Sequence, residues 1–318
     1  MSEEPISRIS SSDLDNLMST LEVHFVALSK CFVSPGYALE LGGVSAPGIH
    51  YNLSGNGRII IGNAPAIDMM PHTLVVVPEN RPFRIEAPDK QGKMAGLSLV
   101  NGTSQTANSE GVRRFVAGDG EAEITLICGY FQASYGLSTN LFQALSNPIV
   151  EQFAATDRLD HVLKSALFEL VAQEIGSGAM SGALLKQVII MLLRRSLTSM
   201  NLWVERFSLL RDPQISKAFS AMVANPGGPH TVVSLAQIAA LSRSTFMARF
   251  SAIMGQPPMV ILRDLRMRQA AHQLKAGDLS IDQVAHNAGY ESRSSFIRVF
   301  RNAFNCDPSA YKTNFHTA

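Results

Sequence analysis

The sequence predicts an α+β chain, with strands gathered in the N-terminal half and helices in the remainder. Three observations carry the prediction. Residues 31 to 130 are cut into short β-branched runs by Gly, Pro and Asn; beyond residue 150 the apolar spacing changes to three and four; and SRSTFMARF at 242–250 recurs as SRSSFIRVF at 292–300. With 318 residues the chain is long enough for two or three compact units, since domains commonly hold about 100 to 200 residues.

Composition narrows the class. At 46% hydrophobic and 17% charged residues, the chain reads as globular, because disordered chains have too little apolar surface to offset the entropy of folding. No apolar run approaches the roughly 20 residues a membrane helix needs. The start, MSEEPISRIS, is polar and lacks a hydrophobic signal core, so a cytoplasmic location and no membrane partner are expected. Cys31, Cys128 and Cys306 lie far apart without a CxxC pair, and are expected to be reduced and buried. The net charge of +1 hides an asymmetry: residues 212–318 hold 11 Lys+Arg against 6 Asp+Glu, whereas the rest of the chain has a balance of −4. A basic C-terminal unit suits a polyanion partner.

In chain order, DLDNLMSTL at 13–21 reads as a short amphipathic helix. The runs GIHYNL, RIIIG, TLVVVP, FRIEA, AGLSLV and EITLICGYF then read as closely spaced strands of a sandwich or barrel. The stretch NGTSQTANSEG at 101–111 is expected as a mobile loop. Two helical stripes follow: Leu159, Val162, Leu163, Ala166, Leu167 and Leu170, then Leu184, Leu185, Val188, Ile189, Leu192 and Leu193. They carry more apolar surface than a small sheet requires, so residues Leu184 to Leu197 are expected to supply a subunit interface. ANPGGPHT at 224–231 breaks the chain before the repeat. The resulting plan is a sensing and dimerising unit at 1–150, a helical connector at 151–204 and a double-helical-motif unit at 205–318.

Each repeat copy is a capped helix. Ser242 and Ser292 supply N-cap hydroxyls. Phe246 and Phe250, like Phe296 and Phe300, stand four apart and anchor one face. Ser244 and Ala248, and in the second copy Ser294 and Arg298 with Arg301 nearby, take the opposite face at about 100° per residue. A shorter helix precedes each copy, in TVVSLAQIAAL and SIDQVAHNAGYE, and Gly289 supplies the second bend. Helix, tight turn and capped second helix form a helix-turn-helix, whose second helix fits a DNA major groove. Between the copies, PMVILRDLRMRQAAHQL reads as a stiff helix of about 26 Å, comparable with the ~34 Å between successive major grooves on one face of DNA. Its Arg263, Arg266 and Arg268 are expected either to reach phosphates or to be solvated.

At these residues the sequence resembles the DNA-binding domain of the AraC/XylS family of transcription regulators. The likeness runs from LRDPQISKAFSAM through SLAQIAALSRSTFMARF and GQPPMVILRDLRMRQAAHQL to VAHNAGYESRSSFIRVFRNAFNCDPSAYK, about a third of the chain. It implies double-stranded promoter DNA and RNA polymerase as partners. It also implies base-reading positions at Arg243, Ser244, Met247, Ala248 and Arg249 in the first copy, and at Arg293, Ser294, Ile297, Arg298 and Arg301 in the second. Family members often carry Arg where this chain has Ala248, with Arg249 displaced toward the core face. The second helix is therefore expected to dominate specificity, or the first to work through Arg243. Asn305 stands where a helix-ending Gly is usual, and Asn also tolerates the left-handed conformation.

GIHYNLSGNGRIIIGNAPAIDMMPHTLVVVPENRPFRIE resembles a cupin, a small β-barrel or jelly roll, of the kind that precedes AraC-type readers. Many cupins hold a metal with two His, a Glu and a further His. Here those positions fall on His50, Asn52, near Asn56 and on Phe83, so no cofactor and no enzymatic activity are expected. His50 and Asn52 share strand parity and are expected to point inward. There they serve either as contacts to a small-molecule effector, with Tyr37 and Arg58 as further candidates, or as structural residues. The resemblance as a whole implies a dimeric bacterial regulator, associated with the nucleoid when bound, whose effector biases the readers. Its alternative is a regulator without an effector, in which the cupin only dimerises.

Overall fold

A computed structural model describes residues 11–102, 107–109, 112–137, 139–143, 145–172, 174–198 and 212–314. Its contacts divide the chain into two compact units. One comprises Glu22–Ala133 with Phe142–Arg206; the other comprises Met1–Leu21, Ser134–Leu141 and Phe207–Ala318.

The first unit is built on two sheets. In chain order its strands are β1 (Glu22–Val33), β2 (Tyr37–Gly42), β3 (Gly48–Gly55), β4 (Gly57–Ile61), β5 (Ile67–Met69), β6 (Thr73–Val77), β7 (Pro82–Glu86), β8 (Ser98–Asn101), β9 (Ala107–Ser109), β10 (Val112–Ala117), β11 (Ile124–Tyr135), β12 (Thr139–Asn140) and β13 (Ile149–Gln152). The larger sheet runs β13-β6-β3-β11-β1-β10-β9, and the smaller runs β5-β4-β7-β2-β8. They do not close into a barrel; they form the jelly-roll form of the expected fold. Cys31, Val33, Val75, Val77, Leu126 and Cys128 from the larger sheet share one core with Leu39, Leu41, Ile59, Ile61, Phe83 and Ile85 from the smaller. β6, written TLVVV, is buried at every position. An uninterrupted apolar run is what a strand covered on both faces needs.

The two helices expected as a connector belong to this same unit. α2 (Leu159–Ala172) and α3 (Ser177–Thr198) pack on one another and on β1. α3 approaches so closely that a β-carbon on Gly182 would lie 2.7 Å from the Val23 carbonyl oxygen. Leu185, Val188, Ile189, Leu192 and Leu193 are all buried within the chain, so most of the stripe assigned to a subunit interface is consumed internally. The Leu197 side chain lies outside the described residues. Among the described residues, the large exposed apolar side chains of this hairpin are Phe168, Ile175 and Met180.

Of the segment expected as a mobile loop, residues 103–106, 110 and 111 lie outside the described residues, while 101 and 107–109 are strand. Cys31 and Cys128 are buried as expected, and burial beside Cys31 pushes the Cys128 thiol up. Cys306 is only half-buried, because it follows the end of a helix instead of facing a core.

The second unit is helical. It contains α1 (Ser11–Thr20), α4 (Pro213–Ala224), α5 (Val232–Ile238), α6 (Arg243–Met254), α7 (Pro258–Ala276), α8 (Ile281–Asn287), α9 (Arg293–Phe304) and α10 (Pro308–Asn314). α1, the amphipathic helix read in the sequence, buries Leu14, Leu17 and Met18 and packs on α4. The tip residue Tyr135 meets Phe219 edge to face at 5.2 Å, a favoured aromatic geometry. Around α7 a second core gathers Met267, Ala270, Ala271 and Leu274 with Val284, Ala285, Ala288, Phe296 and Phe300.

Candidate nucleic-acid interface

Both helix-turn-helix copies form, and the same local chemistry starts each helix. Thr231 caps α5 by accepting from the Ser234 amide, and Ser280 caps α8 by accepting from the Gln283 amide. Ser242 accepts from Thr245 N–H at the head of α6, and Ser292 accepts from Ser295 N–H at the head of α9. Such caps satisfy amides that the first turn leaves free. The bends match as well: Leu241 N–H donates to the Ala236 carbonyl and Tyr290 N–H to the Ala285 carbonyl. Gly289 makes its bend at φ +75°, whereas the first copy uses Ala240 at φ +52°. Asn305 ends α9 at φ +56°, the left-handed conformation expected of it.

With Phe246, Phe250, Phe296 and Phe300 fully buried, the remaining residues of α6 and α9 are fixed in direction. Arg243, Ser244 and Ala248 are exposed on α6, with Met247 at the edge; Arg293, Ser294, Arg298 and Arg301 are exposed on α9, with Ile297 at the edge. Their charges are not equally available. Arg293 pairs with Asp282 at 3.0 Å and Arg301 with Asp307 at 2.6 Å, both in solvent, and such exposed pairs are weak enough to exchange for phosphate. Arg298 and Arg243 project from the two helices, and neither has an ion pair among the described residues.

Arg249 lies toward the core face, as its place on the wheel predicts. Its guanidinium turns toward α4, where Nε donates to Asp212 and Nη1 to Gln214 Oε1 at 2.9 Å. It therefore stands apart from Arg243 and Ser244, because the wheel places it at the core edge and Asp212 is there to meet it. The spacer arginines also differ from one another. Arg263 is exposed beside Asp264, whereas Arg266 is half-buried and donates to two backbone carbonyls. Burial lowers the proton affinity of Arg266 and Arg268.

In the jelly roll, His50 and Asn52 face inward as parity predicts, since their cross-strand neighbours Val75, Cys128 and Leu126 belong to the core. Asn52 is fully engaged: its amide donates to the Gly55 and Met69 carbonyls, and its oxygen accepts from Ser54 N–H. His50 is completely buried, and neither ring nitrogen has a partner among the described residues. Desolvation holds its pKa down at about 3. Its ring lies 4.2 Å from that of Phe83, so the position where a cupin's last His is expected carries an aromatic ring packed on the first. Among the described residues no group of three His, Cys, Asp or Glu is arranged to hold a metal. Arg58 bonds Glu86 and the Met94 carbonyl, and Tyr37 packs at the margin of the core.

Family comparison matches residues 235–314 to a helix-turn-helix domain and residues 14–198 to a cupin. Among curated relatives, a putative AraC-like transcription regulator of Streptomyces antibioticus is 30% identical over 210 residues, 64% of this chain and 67% of its own length. The HTH-type transcriptional regulator AlkR of Acinetobacter baylyi is 37% identical over 103 residues, 32% of this chain and 34% of its own. The chain thus spans about a third of the length of the first curated relatives it matches. A crystal structure of the DNA-binding domain of AdpA in complex with a target DNA is similar at 29% identity, covering 33% of this chain and 95% of that one, with a TM-score of 0.32.

Proposed function

The chain belongs to the AraC-like transcription regulators and carries a cupin domain, and on that premise we propose that it binds promoter DNA sequence-specifically through α6 and α9. One observation carries the reading: two capped helices, α6 and α9, pack on one rod within one compact unit, and each exposes an arginine, Arg243 and Arg298, that has no ion pair among the described residues. The rod, α7, has 19 residues and is about 28 Å long, which suits two adjacent major grooves. Ser244 adjoins Arg243 and Ser294 stands one turn before Arg298, Met247 and Ile297 offer apolar contact to thymine methyls, and Ala248 leaves room for close approach. The second helix, richer in arginine, dominates specificity. RNA polymerase is the partner the bound protein recruits or blocks, and the cytoplasm is the compartment in which it acts.

The protein is a regulator without enzymatic activity. His50 is the sole cupin ligand position that retains metal-binding chemistry, and one imidazole does not make a stable transition-metal site. The jelly roll serves as the sensing and dimerising domain, and Phe168, Ile175 and Met180 on the α2–α3 hairpin support a homodimer. The effector-free alternative has its own support, since Asn52 and Arg58 are already committed to intramolecular bonds. A thermal-shift screen against metabolites separates the two: specific stabilisation by one compound defeats the effector-free version.

The experiment for DNA binding is a mobility shift on the duplex upstream of the protein's own coding sequence, titrated in salt. Retarded complexes that weaken steeply with salt are expected. No complex at low salt, on this or any other promoter, would end the proposal.

A further inference from the structure

Two glycines face each other where the halves of the helical unit meet. Gly227 lies in the loop between α4 and α5, and Gly289 makes the turn between α8 and α9. A β-carbon on Gly227 would stand 1.8 Å from the Asn287 carbonyl oxygen. One on Gly289 would stand 2.6 Å from the Gly227 carbonyl oxygen and 2.9 Å from Nη2 of Arg266. Backbone therefore touches backbone between the first reader's entry loop and the second reader's turn, at a separation only glycine permits.

Arg266, in the middle of α7, fastens this contact. Its Nε donates to the Pro226 carbonyl and its Nη2 to the Gly228 carbonyl, each at 2.8 Å. The guanidinium lies 5.9 Å from the centre of the Tyr290 ring. The planar fork of Arg satisfies two acceptors at once, which the single ammonium of Lys does with far less directionality. The loop so gripped runs directly into Thr231, the cap of α5, and α5 carries α6. On the other side, Gly289 and Tyr290 lead directly into α9. A rod alone fixes how far apart two helices stand; fixing their mutual rotation needs a contact away from its axis.

We propose that Arg266, with Gly227 and Gly289, is a positioning clasp that holds α6 and α9 at one spacing and orientation, and thereby selects the separation between the two base clusters the protein accepts. The clasp rests on contacts within the helical unit, and its consequence for DNA rests on the reading above. Arg266 is accordingly a residue that sets operator geometry without touching DNA. This is a third role, distinct from both the phosphate contact and the solvated side chain.

Two measurements on the full chain test it. Spin labels placed by Ser244→Cys and Ser294→Cys, in a Cys306→Ser background, report the distance between the recognition helices without DNA. The parent gives one narrow distribution; Arg266→Ala broadens or shifts it, Gly227→Ala does the same, and Arg266→Lys falls between. Selection from a random duplex library then gives the spacing: the parent returns two base clusters at one separation, and Arg266→Ala returns the same clusters at several. A distribution equally narrow in Arg266→Ala and Gly227→Ala, with unchanged spacing, overturns the clasp and leaves Arg266 a stabilising residue only. A parent with a narrow distribution that selects no sequence instead overturns the DNA-reading assignment and leaves the clasp's geometry standing.

Discussion

Asp212 caps α4 and binds Arg249 with the same carboxylate. One oxygen accepts from Ile215 N–H at 3.2 Å while the other accepts from the Arg249 guanidinium. An arginine on α6 is thus spent on tying that helix to α4, two helices earlier. Arg249→Ala is expected to lower the stability of the helical unit by about 1 kcal/mol, a modest figure because the arginine is 40% exposed. The base preference of DNA selected by the variant should match that of the parent. Chemical unfolding combined with duplex selection checks both halves, and a changed base preference would return Arg249 to the reading face.

Arg298 is the counterpart, exposed and with no ion pair among the described residues. If it makes a bidentate contact to guanine, Arg298→Ala removes about 1–3 kcal/mol of discrimination at one base pair, roughly 5- to 150-fold, with unfolding unaffected. Competition binding with single-base variants of a selected duplex measures this. Equal weakening on every sequence would make Arg298 a phosphate contact instead.

Ala240 occupies a bend that its sister copy gives to Gly289. A left-handed alanine is strained by about 1–2 kcal/mol, and part of that is recovered in Ala240→Gly because glycine loses more freedom on folding. The variant is expected to unfold at a higher temperature, by about 0.5–1 kcal/mol of added stability. A lower unfolding temperature would show that the alanine methyl packs usefully.

These residues also show how far the sequence carries. Caps and anchors were legible because Ser242, Phe246 and Phe250, and their partners in the second copy, obey local rules within one or two turns. Strand parity likewise placed His50 and Asn52 inside. What stayed hidden depends on residues distant in the chain: Arg249 meets Asp212 37 positions away, Arg266 meets Pro226 40 away, and Arg58 meets Glu86 28 away. Ala240 carried no turn signal, since alanine is the last residue a bend predicts. The α2–α3 stripes were correctly apolar, but their partner, β1, lies more than a hundred residues earlier.

His50 makes stability depend on acid. Its folded-state pKa of about 3 lies below the ordinary 6.5, so between those values the unfolded chain holds a proton that the native imidazole refuses. Its contribution is complete above 6.5 and declines as pH falls toward 3, by at most about 1.4 kcal/mol per unit. Replacing it by leucine should flatten the loss of stability between pH 7 and pH 5, read as urea midpoints. Parallel pH profiles for parent and His50→Leu would contradict the assignment.

Hydroxyl-radical footprinting of the full chain on its selected duplex tests the central claim most directly. Two protected patches on one face of the DNA, separated by about one helical turn, are expected, with the patch of α9 lost first in Arg298→Ala. A single patch, or protection spread evenly along the duplex, would contradict an account in which two readers on one rod meet one double strand together.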